Sequence, residues 1–546
     1  MQRCRRCCCR PRPQAAFQAL FGCRRPFSST SNVLVDNTVG VSTSDTTTCN
    51  AKGSVLFLSP SLWPEPSSSA AGVRTSSLLQ HFAIDTATTA SSASSIFSSV
   101  HYGSGAPKPS SLTEYARLHN LSTEYGIRLH TIPANRSDAI ENIILSSNEF
   151  KDLSAVVFDR YFAEEACSFH FWKHKESATR VLDMQDMHSL RLARQALVED
   201  TSTGARMDDG FWMDDKLMER VMECMPFHFE NESQQHATNA SKQKIKKRKK
   251  DPRDILLREL ASIHRSDLVL VCSSHEYDLL TNVFGIDSSK LCMAPFFSSE
   301  CSPAYDSPDC QYEQRSDFVA LGGYRHPPNV DSVKWLKAEV WPRIRSQLPE
   351  AKLHVWGSYP PQHIMQLNDS KSGFLVKGRL DNLAEELAKR RILLAPLRYG
   401  AGIKGKVVDA WSHGCPVVTT PVGAEGTKSN RDILTNCSVR GNVGDIDDVG
   451  WGGLVGTDAD VLARCAVRLY RDQGLWDESR RNARRLLRML FDEKRNLNAV
   501  SNAISEAIYD KVTRRSEDHI SAILWHQSNR STEYFSRWIE LKEKPR

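Results

Sequence analysis

The chain has 546 residues, 40% hydrophobic and 25% charged, with a formal net charge of +6. That length is too great for one hydrophobic core and predicts two or three domains, while the balance of residue types is that of a globular protein rather than a disordered one. The small net charge argues against a nucleic-acid partner, and no run approaches the roughly 20 apolar residues of a membrane span, which leaves at most peripheral membrane contact.

Residues 1–35 hold seven arginines and no acidic residue before Asp36. Ala15 to Phe21 offers a short apolar helical face, and Arg24 to Ser29 resembles a mitochondrial processing site. The composition predicts a transit peptide and a mitochondrial protein; a plastid peptide has similar chemistry, and the protein is cytoplasmic if this segment is not a transit peptide. Residues 1–52 are accordingly set outside the fold. Fifteen cysteines are scattered through the chain, mostly in apolar contexts such as Cys272 and Cys415, and read as reduced and buried. Cys4, Cys7, Cys8 and Cys9 are grouped, but no second pair at zinc spacing lies nearby.

From Ser54 (SVLFLS) the chain alternates. Strand-like runs fall at Ser54 to Ser59, Ser95 to Tyr102, Arg128 to Ile132, Ala155 to Phe158, Arg180 to Asp183, Leu268 to Cys272 and Leu291 to Phe296, with helical patterns between most of them. A second series runs through Phe318 (FVALGG), Leu353 to Trp356, Phe374 to Val376, Ile392 to Ala395 and Pro416 to Thr419. Such alternation predicts an α/β protein with two Rossmann-like domains facing across a cleft, the ligand lying at the C-terminal edges of the sheets. The expected boundaries are 53–300 for the first domain and 317–475 for the second, with a polar hinge at 301–316. Residues 230–253 form an inserted loop carrying KIKKRKK (Lys244 to Lys250), read as a solvated loop or as a nuclear-import or acidic-partner patch. Residues 476–546 are expected to be a helical appendage whose aromatics, Trp525, Tyr534, Phe535 and Trp538, pack rather than bind.

The most informative stretch is LAPLRYGAGIKGKVVDAWSHGCPVVTTPVGAEG, Leu394 to Gly426: a strand, a glycine-rich turn with a lysine, a helix and another strand. Gly400, Gly402 and Gly405 permit close backbone approach to a ligand. The next helix offers free N–H groups, and Lys404 adds a positive charge, so the turn is suited to a phosphate.

Together with FVALGGYRHPPNVDSVKWLKAEVWPRIRSQLPEAKLHVWGS (Phe318 to Ser358), this stretch resembles the donor-binding half of the group 1 glycosyltransferases, retaining enzymes of the GT-B fold. Looser similarity in VLFLSPSLWP with Gly72 and Arg74, in RVLDMQDMHSLRLARQ and in RELASIHRSDLVLVCSSHEYDLL extends the resemblance over about residues 54–475. The resemblance implies a nucleoside diphosphate sugar as donor and an unidentified hydroxyl as acceptor. Lys404 and the N–H groups of Gly402 to Gly405 would hold the diphosphate, and Asp409, in the place of the second glutamate of the family's paired-glutamate motif, would hold the ribose. Ala401 replaces the first glutamate, and Tyr324 and Asn329 stand where many members carry Arg and Lys; Gly323, Arg325 and His326 are then the neighbouring donor contacts.

By the same resemblance, Gly378 and Arg379 mark either the base-binding backbone or a simple turn. Gly423 and Glu425 face the transferred sugar, or Glu425 caps a helix. In the first domain, His188 lies near the sugar or hydrogen-bonds Asp186, while Gly72, Arg74 and Asp186 form the acceptor and diphosphate loop unless Arg74 is a surface helix residue. Lys404, His188 and Glu425 are the catalytic candidates. No metal or cofactor is expected, because Lys404 and the helix N-terminus supply the positive charge and no Asp-x-Asp stands between a strand and the sugar. The expected activity is retaining hexose transfer. Nucleotide-sugar epimerisation or phosphorolysis, and a non-catalytic sensor or scaffold, are the alternatives.

Overall fold

The computed structural model describes residues 53–59, 63–64, 70–88, 96–108, 112–132, 140–142, 148–199, 251–297, 301–427, 450–527 and the single positions 531, 534 and 538. The transit-peptide segment with its four grouped cysteines, the basic run Lys244 to Lys250 and Phe535 lie outside the described residues.

Seven strands make the first sheet: β1 Ser54–Ser59, β2 Ser99–Ser104, β3 Arg128–Thr131, β4 Leu153–Asp159, β5 Thr179–Asp183, β6 Leu268–Val271 and β7 Leu291–Met293. They run in the order β3-β2-β1-β4-β5-β6-β7, all pairs parallel. β1 is buried along its whole length, as the uninterrupted run SVLFLS requires of a strand covered on both faces. Leu56 and Leu58 face one core, with Val156, Phe158 and Leu182, while Val55 and Phe57 face the other. The second strand starts later than the sequence pattern suggests, at Ser99 rather than Ser95, because its register is set by pairing Ser54 with Ser99 and Leu56 with His101.

The second sheet has six strands: β8 Ser316–Leu321, β9 Leu353–Trp356, β10 Phe374–Gly378, β11 Arg390–Ala395, β12 Val417–Thr419 and β13 Gly453–Val455. Its order is β10-β9-β8-β11-β12-β13, again all parallel. In each sheet the strand order reverses once, between β1 and β4 and between β8 and β11, and the loops leaving those strands flank a crevice. This is the expected pair of Rossmann-like domains.

The stretch expected as a hinge, residues 301–316, packs against the second domain. It forms single turns at Pro303–Asp306, Pro308–Cys310 and Tyr312–Gln314. Tyr305 Oη donates to Arg480 O (2.6 Å), and the fully buried Arg315 donates to the carbonyls of Cys310, Leu387, Arg390 and His413. A buried guanidinium can satisfy its several donors only by gathering carbonyls from different segments.

The C-terminal region is helical, as expected, and packs into both domains. Helix Gln473–Leu490 is capped by Asp472, and it drives Trp476, fully buried, into the second-domain core, its Nε1 donating to Arg391 O (2.8 Å). The following helix, Glu493–Glu517, capped by Asp492, returns to the first domain. Leu497, Val500, Ile504 and Ala507, at helical spacing, join the core beneath Val55 and Phe57. Burial of Leu497, Val500 and Ile504 contributes about 1.5–3 kcal/mol each. Arg515 then clamps Asp267, and Trp525 lies under the Arg180 guanidinium (4.4 Å) against Trp172. Tyr534 and Trp538 are exposed. Among the described residues no helix is long and apolar enough to cross a membrane, and the described cysteines are free thiols.

Candidate functional site

The glycine-rich turn leaves β11 and leads into helix Gly405–Ser412. Gly402 has φ +65°, and a Cβ there would stand 2.9 Å from Asp186 Cβ of the first domain, so both conformation and contact demand glycine. Its N–H donates to Glu276 Oε1 (2.8 Å), the oxygen that also accepts from Met187 N–H (2.9 Å). Ala401 packs against the first-domain core. The turn thus docks across the cleft, and the alanine that replaces the family's glutamate sits at an apolar contact. Gly402 N–H, expected to meet a diphosphate, is committed to Glu276. Burial, with Asp186 nearby, pushes the Glu276 carboxyl up to about 7, although the two backbone N–H bonds work against this.

Lys404 precedes the helix and is 8% exposed. Its Nζ donates to Gly402 O (2.5 Å) and lies 3.6 Å from Glu425 Oε2. Burial lowers its pKa, and Glu425 opposes the shift. Gly400 leaves room for this side chain, since a Cβ there would be 3.3 Å from Lys404 Cε. Across the cleft Arg194 donates to Gly400 O (2.5 Å) and to both carboxylate oxygens of Glu425 (2.9 and 2.5 Å). Glu425 is therefore held by Arg194 and Lys404 together. A Cβ on Gly405 would stand 3.0 Å from Ala70 Cβ, which brings the start of helix Ala70–Thr88, with Gly72 in its first turn, to the same cleft.

The first domain adds a second cluster after β5. Asp186 pairs with Arg191 and with His188 Nε2 (3.1 Å), so the histidine is bonded as one of its two expected roles has it. Burial opposes ionisation of Asp186, yet Arg191 and His188 hold it well below the usual carboxylate range. The N-terminus of helix His188–Glu199 is capped from outside by Glu259, which accepts from His188 N–H and from Ser189 N–H and Oγ–H.

From the second domain, His326 faces this cluster. Its pKa is pushed down to about 4 by burial and by Arg191, with Asp186 pulling the other way. Lys406 donates to Asn329 Oδ1 (2.7 Å), and Asn329 Nδ2 donates to Gly323 O (2.9 Å). Burial, aided by Lys404, drives the Lys406 ammonium down to about 7. One turn on, burial alone pushes Asp409 up to about 6. His326 and Asp409 both keep solvent-exposed surface. Gly323 and Gly378, at the ends of β8 and β10, have nothing within 4 Å of where a side chain would project, and Gly378 has φ +84°. Gly323 leaves open space beside the switch point, and Gly378 does so at the edge strand β10.

Several expected site residues fall elsewhere. Arg74 is no acceptor-loop or surface residue: it is 1% exposed, bonded to Asp183 (3.0–3.2 Å) and to Ala294 O and Pro295 O, and stacked on Phe297. Burial works against its charge, but Asp183 raises its pKa above the ordinary guanidinium value. Gly423 lies in the turn Pro421–Ala424, where a Cβ would strike Thr419 Oγ1 at 1.8 Å, so packing demands that glycine. Arg325 stacks on the exposed Tyr359 (3.7 Å), and Arg379 is exposed beyond β10; among the described residues neither is bonded to the Lys404 cluster. Tyr324 is buried. An Asp-x-Asp does follow a strand, at Asp458 and Asp460, away from the Lys404 cluster. Asp458 caps helix Ala459–Arg471 and Asp460 pairs with Arg343 (2.6 Å), so both carboxylates are engaged.

Arg191, Arg194, Glu276 and Lys406 were not singled out from the sequence. A signal existed for three of them: Arg191 and Arg194 follow His188 at three-residue steps, and Lys406 alternates with Lys404. Glu276 had none.

Two parallel-sheet domains that meet at their switch points define the GT-B fold. Solved structures share this fold. HepE from Anabaena, solved with UDP and glucose, is 10% identical with a TM-score of 0.50 over 83% of this chain and 99% of that one. Sucrose-phosphate synthase from Thermosynechococcus elongatus is 12% identical with a TM-score of 0.51, over 83% and 98%. A glycosyltransferase from Rickettsia africae is 10% identical with a TM-score of 0.50, over 84% and 99%. At such identities the likeness is one of fold, and no curated protein sequence matches the chain. Residues 315–472 match the family described as glycosyl transferases group 1.

Proposed function

We propose that the protein is a retaining glycosyltransferase that moves a hexose from a nucleoside diphosphate sugar to a hydroxyl acceptor without a metal. The observation that carries this reading is the convergence of Lys404, Lys406, Arg191 and Arg194 on a glycine-lined crevice between the two switch points, with Asp409 one helical turn away. The base lies along the open backbone of Gly323 and Gly378, Asp409 accepts from the ribose hydroxyls, and the diphosphate meets the two lysines. As the bond from the anomeric carbon to the phosphate oxygen breaks, the leaving diphosphate gains negative charge. Fixed cations in a buried crevice stabilise that charge without reorganisation, at about 3–4 kcal/mol per well-placed donor. The leaving phosphate oxygen takes the acceptor's proton on the same face, so the protein needs no dedicated base, and His188 stays bonded to Asp186 as a positioning group. Glu425 holds the Lys404 ammonium in place.

A second reading, binding without transfer, is favoured by one observation: Glu276 and Glu425 already occupy the Gly402 N–H and the Lys404 ammonium. The deciding experiment measures thermal shifts with UDP, GDP and ADP and their sugars, with EDTA in every well, for the wild type and Lys404→Ala, followed by nucleotide release in the presence of hydroxyl acceptors. Transfer predicts that one nucleotide stabilises the wild type, that the mutant loses the effect, and that its sugar is turned over. Stabilisation without turnover supports the second reading, and no stabilisation by any nucleotide refutes both.

A further inference from the structure

Away from the cleft, at the β3 edge of the first sheet, two histidines and a glutamate come together. The parallel register pairs His101 with Arg128 and Gly103 with His130, so His101 and His130 are diagonal neighbours on one face. His101 Nδ1 and His130 Nε2 are 3.0 Å apart, and a Glu149 carboxylate oxygen completes a set whose ligand atoms all lie within 4.8 Å of one another. We propose that His101, His130 and Glu149 bind one divalent transition-metal ion, Zn2+ in particular, as a structural clamp that joins β2, β3 and the turn Asn148–Phe150.

Three observations favour a metal over a mere hydrogen-bonded pair. Zn–N bonds of about 2.0–2.1 Å at a tetrahedral angle separate two imidazole nitrogens by roughly 3.3 Å, so the rings need to move only a few tenths of an ångström. The remaining nitrogen of His101 is bonded to Ser99 Oγ (3.0 Å), an outer contact of the kind that fixes the orientation of a ligating imidazole. Phe150, fully buried, packs against both rings at 4.7 and 5.3 Å between centroids, which holds the neighbouring Glu149 at the site. Glu149 rests on Arg128 (3.2 Å), but both side chains are substantially exposed, so this pair, worth about 0–1 kcal/mol, opposes its turning to an ion only weakly. Two imidazoles and a carboxylate leave a fourth position for water, a donor set suited to zinc. The clamp also meets a structural need: β3 is a four-residue edge strand with no buried residue, held by β2 alone.

The test uses the full chain, stripped with EDTA and dialysed, and titrated with Co2+ as a spectroscopic stand-in and with Zn2+ for thermal stability. The cysteine-rich N-terminus is a rival site, but thiolate ligation adds an intense near-ultraviolet charge-transfer band, whereas this site gives only the weaker visible ligand-field bands. The expected result is one equivalent of Co2+ bound with visible bands alone. That binding weakens by on the order of 100-fold or more in His130→Gln and by at least tenfold in Glu149→Gln, and the thermal stabilisation by Zn2+ is lost in both. These partly exposed positions are chosen over the fully buried His101 so that the variants still fold. Wild-type Co2+ spectra and affinity in both variants, or equal Zn2+ stabilisation of variants and wild type, would overturn the proposal.

Discussion

Donor binding should draw a proton from solution, and Lys406 is the group that takes it. In the free protein its pKa is pushed down to about 7, chiefly by burial, so near pH 8 its amine is mostly neutral. A phosphate charge about 4 Å away interacts with the ammonium by about 4 kcal/mol at the effective dielectric of such sites, equivalent to about three pKa units. The complex then holds Lys406 fully protonated, and uptake at pH 8 is about 0.9 proton per donor bound, falling to about half a proton at pH 7. Because the pKa is raised in the complex, its contribution to affinity is fully present below pH 7 and is lost as pH rises above it, with a slope approaching tenfold per unit. Asp409, at about 6, is already ionised there and contributes little. The assay is titration calorimetry at pH 8 in buffers of different ionisation enthalpy, with the nucleotide sugar that the stability screen selects, since it has no ionisation of its own in this range. Lys406→Arg, which keeps the charge but does not titrate, should bind with no uptake. Negligible uptake by the wild type, or the same uptake in Lys406→Arg, would refute the placement of Lys406 against the diphosphate.

Three further outcomes follow from the same geometry. Lys404→Ala should lower turnover by about 10²–10³ while leaving the melting temperature nearly unchanged, because Arg194 still holds both oxygens of Glu425; steady-state rates and a melting curve check this, and a collapsed fold would contradict it. Gly402→Ala should cost about 1–2 kcal/mol through its left-handed backbone and the contact with Asp186, whereas Gly323→Ala, with open space before it, should weaken nucleotide binding without loss of stability; denaturant unfolding and binding titrations separate the two. Arg74→Ala should destabilise by about 3–5 kcal/mol by stranding the buried Asp183 carboxylate, measured by urea unfolding, and native stability with weakened donor binding would return Arg74 to the cleft.

Much of the architecture was legible because it rests on local pattern. Uninterrupted apolar runs such as SVLFLS marked doubly covered strands, alternation with helices marked parallel sheets, and the glycines around Lys404 marked a turn that closely approaches another group. What Gly402 approaches was not legible: its neighbours are Asp186 and Glu276, brought there only by closure of two separately built sheets. Arg74 illustrates the converse, since its sequence neighbours suit a cleft loop while burial beside Asp183 and the carbonyl of Ala294 decides its role. The helix from Glu493 showed its apolar spacing plainly, but not that the surface it covers lies on the first domain rather than the second.

The sequence by itself therefore determined the elements, their parallel pairing and a phosphate-suited turn, because backbone propensity and hydrophobic periodicity act within a few turns of chain. Tertiary structure alone decided which charges meet across the crevice, which carboxylates occupy them, and how far burial displaces Lys406, Asp409 and Glu276 from their ordinary pKa values. Desolvation and Coulomb energies depend on distances between residues remote in the chain, and no local pattern encodes those distances.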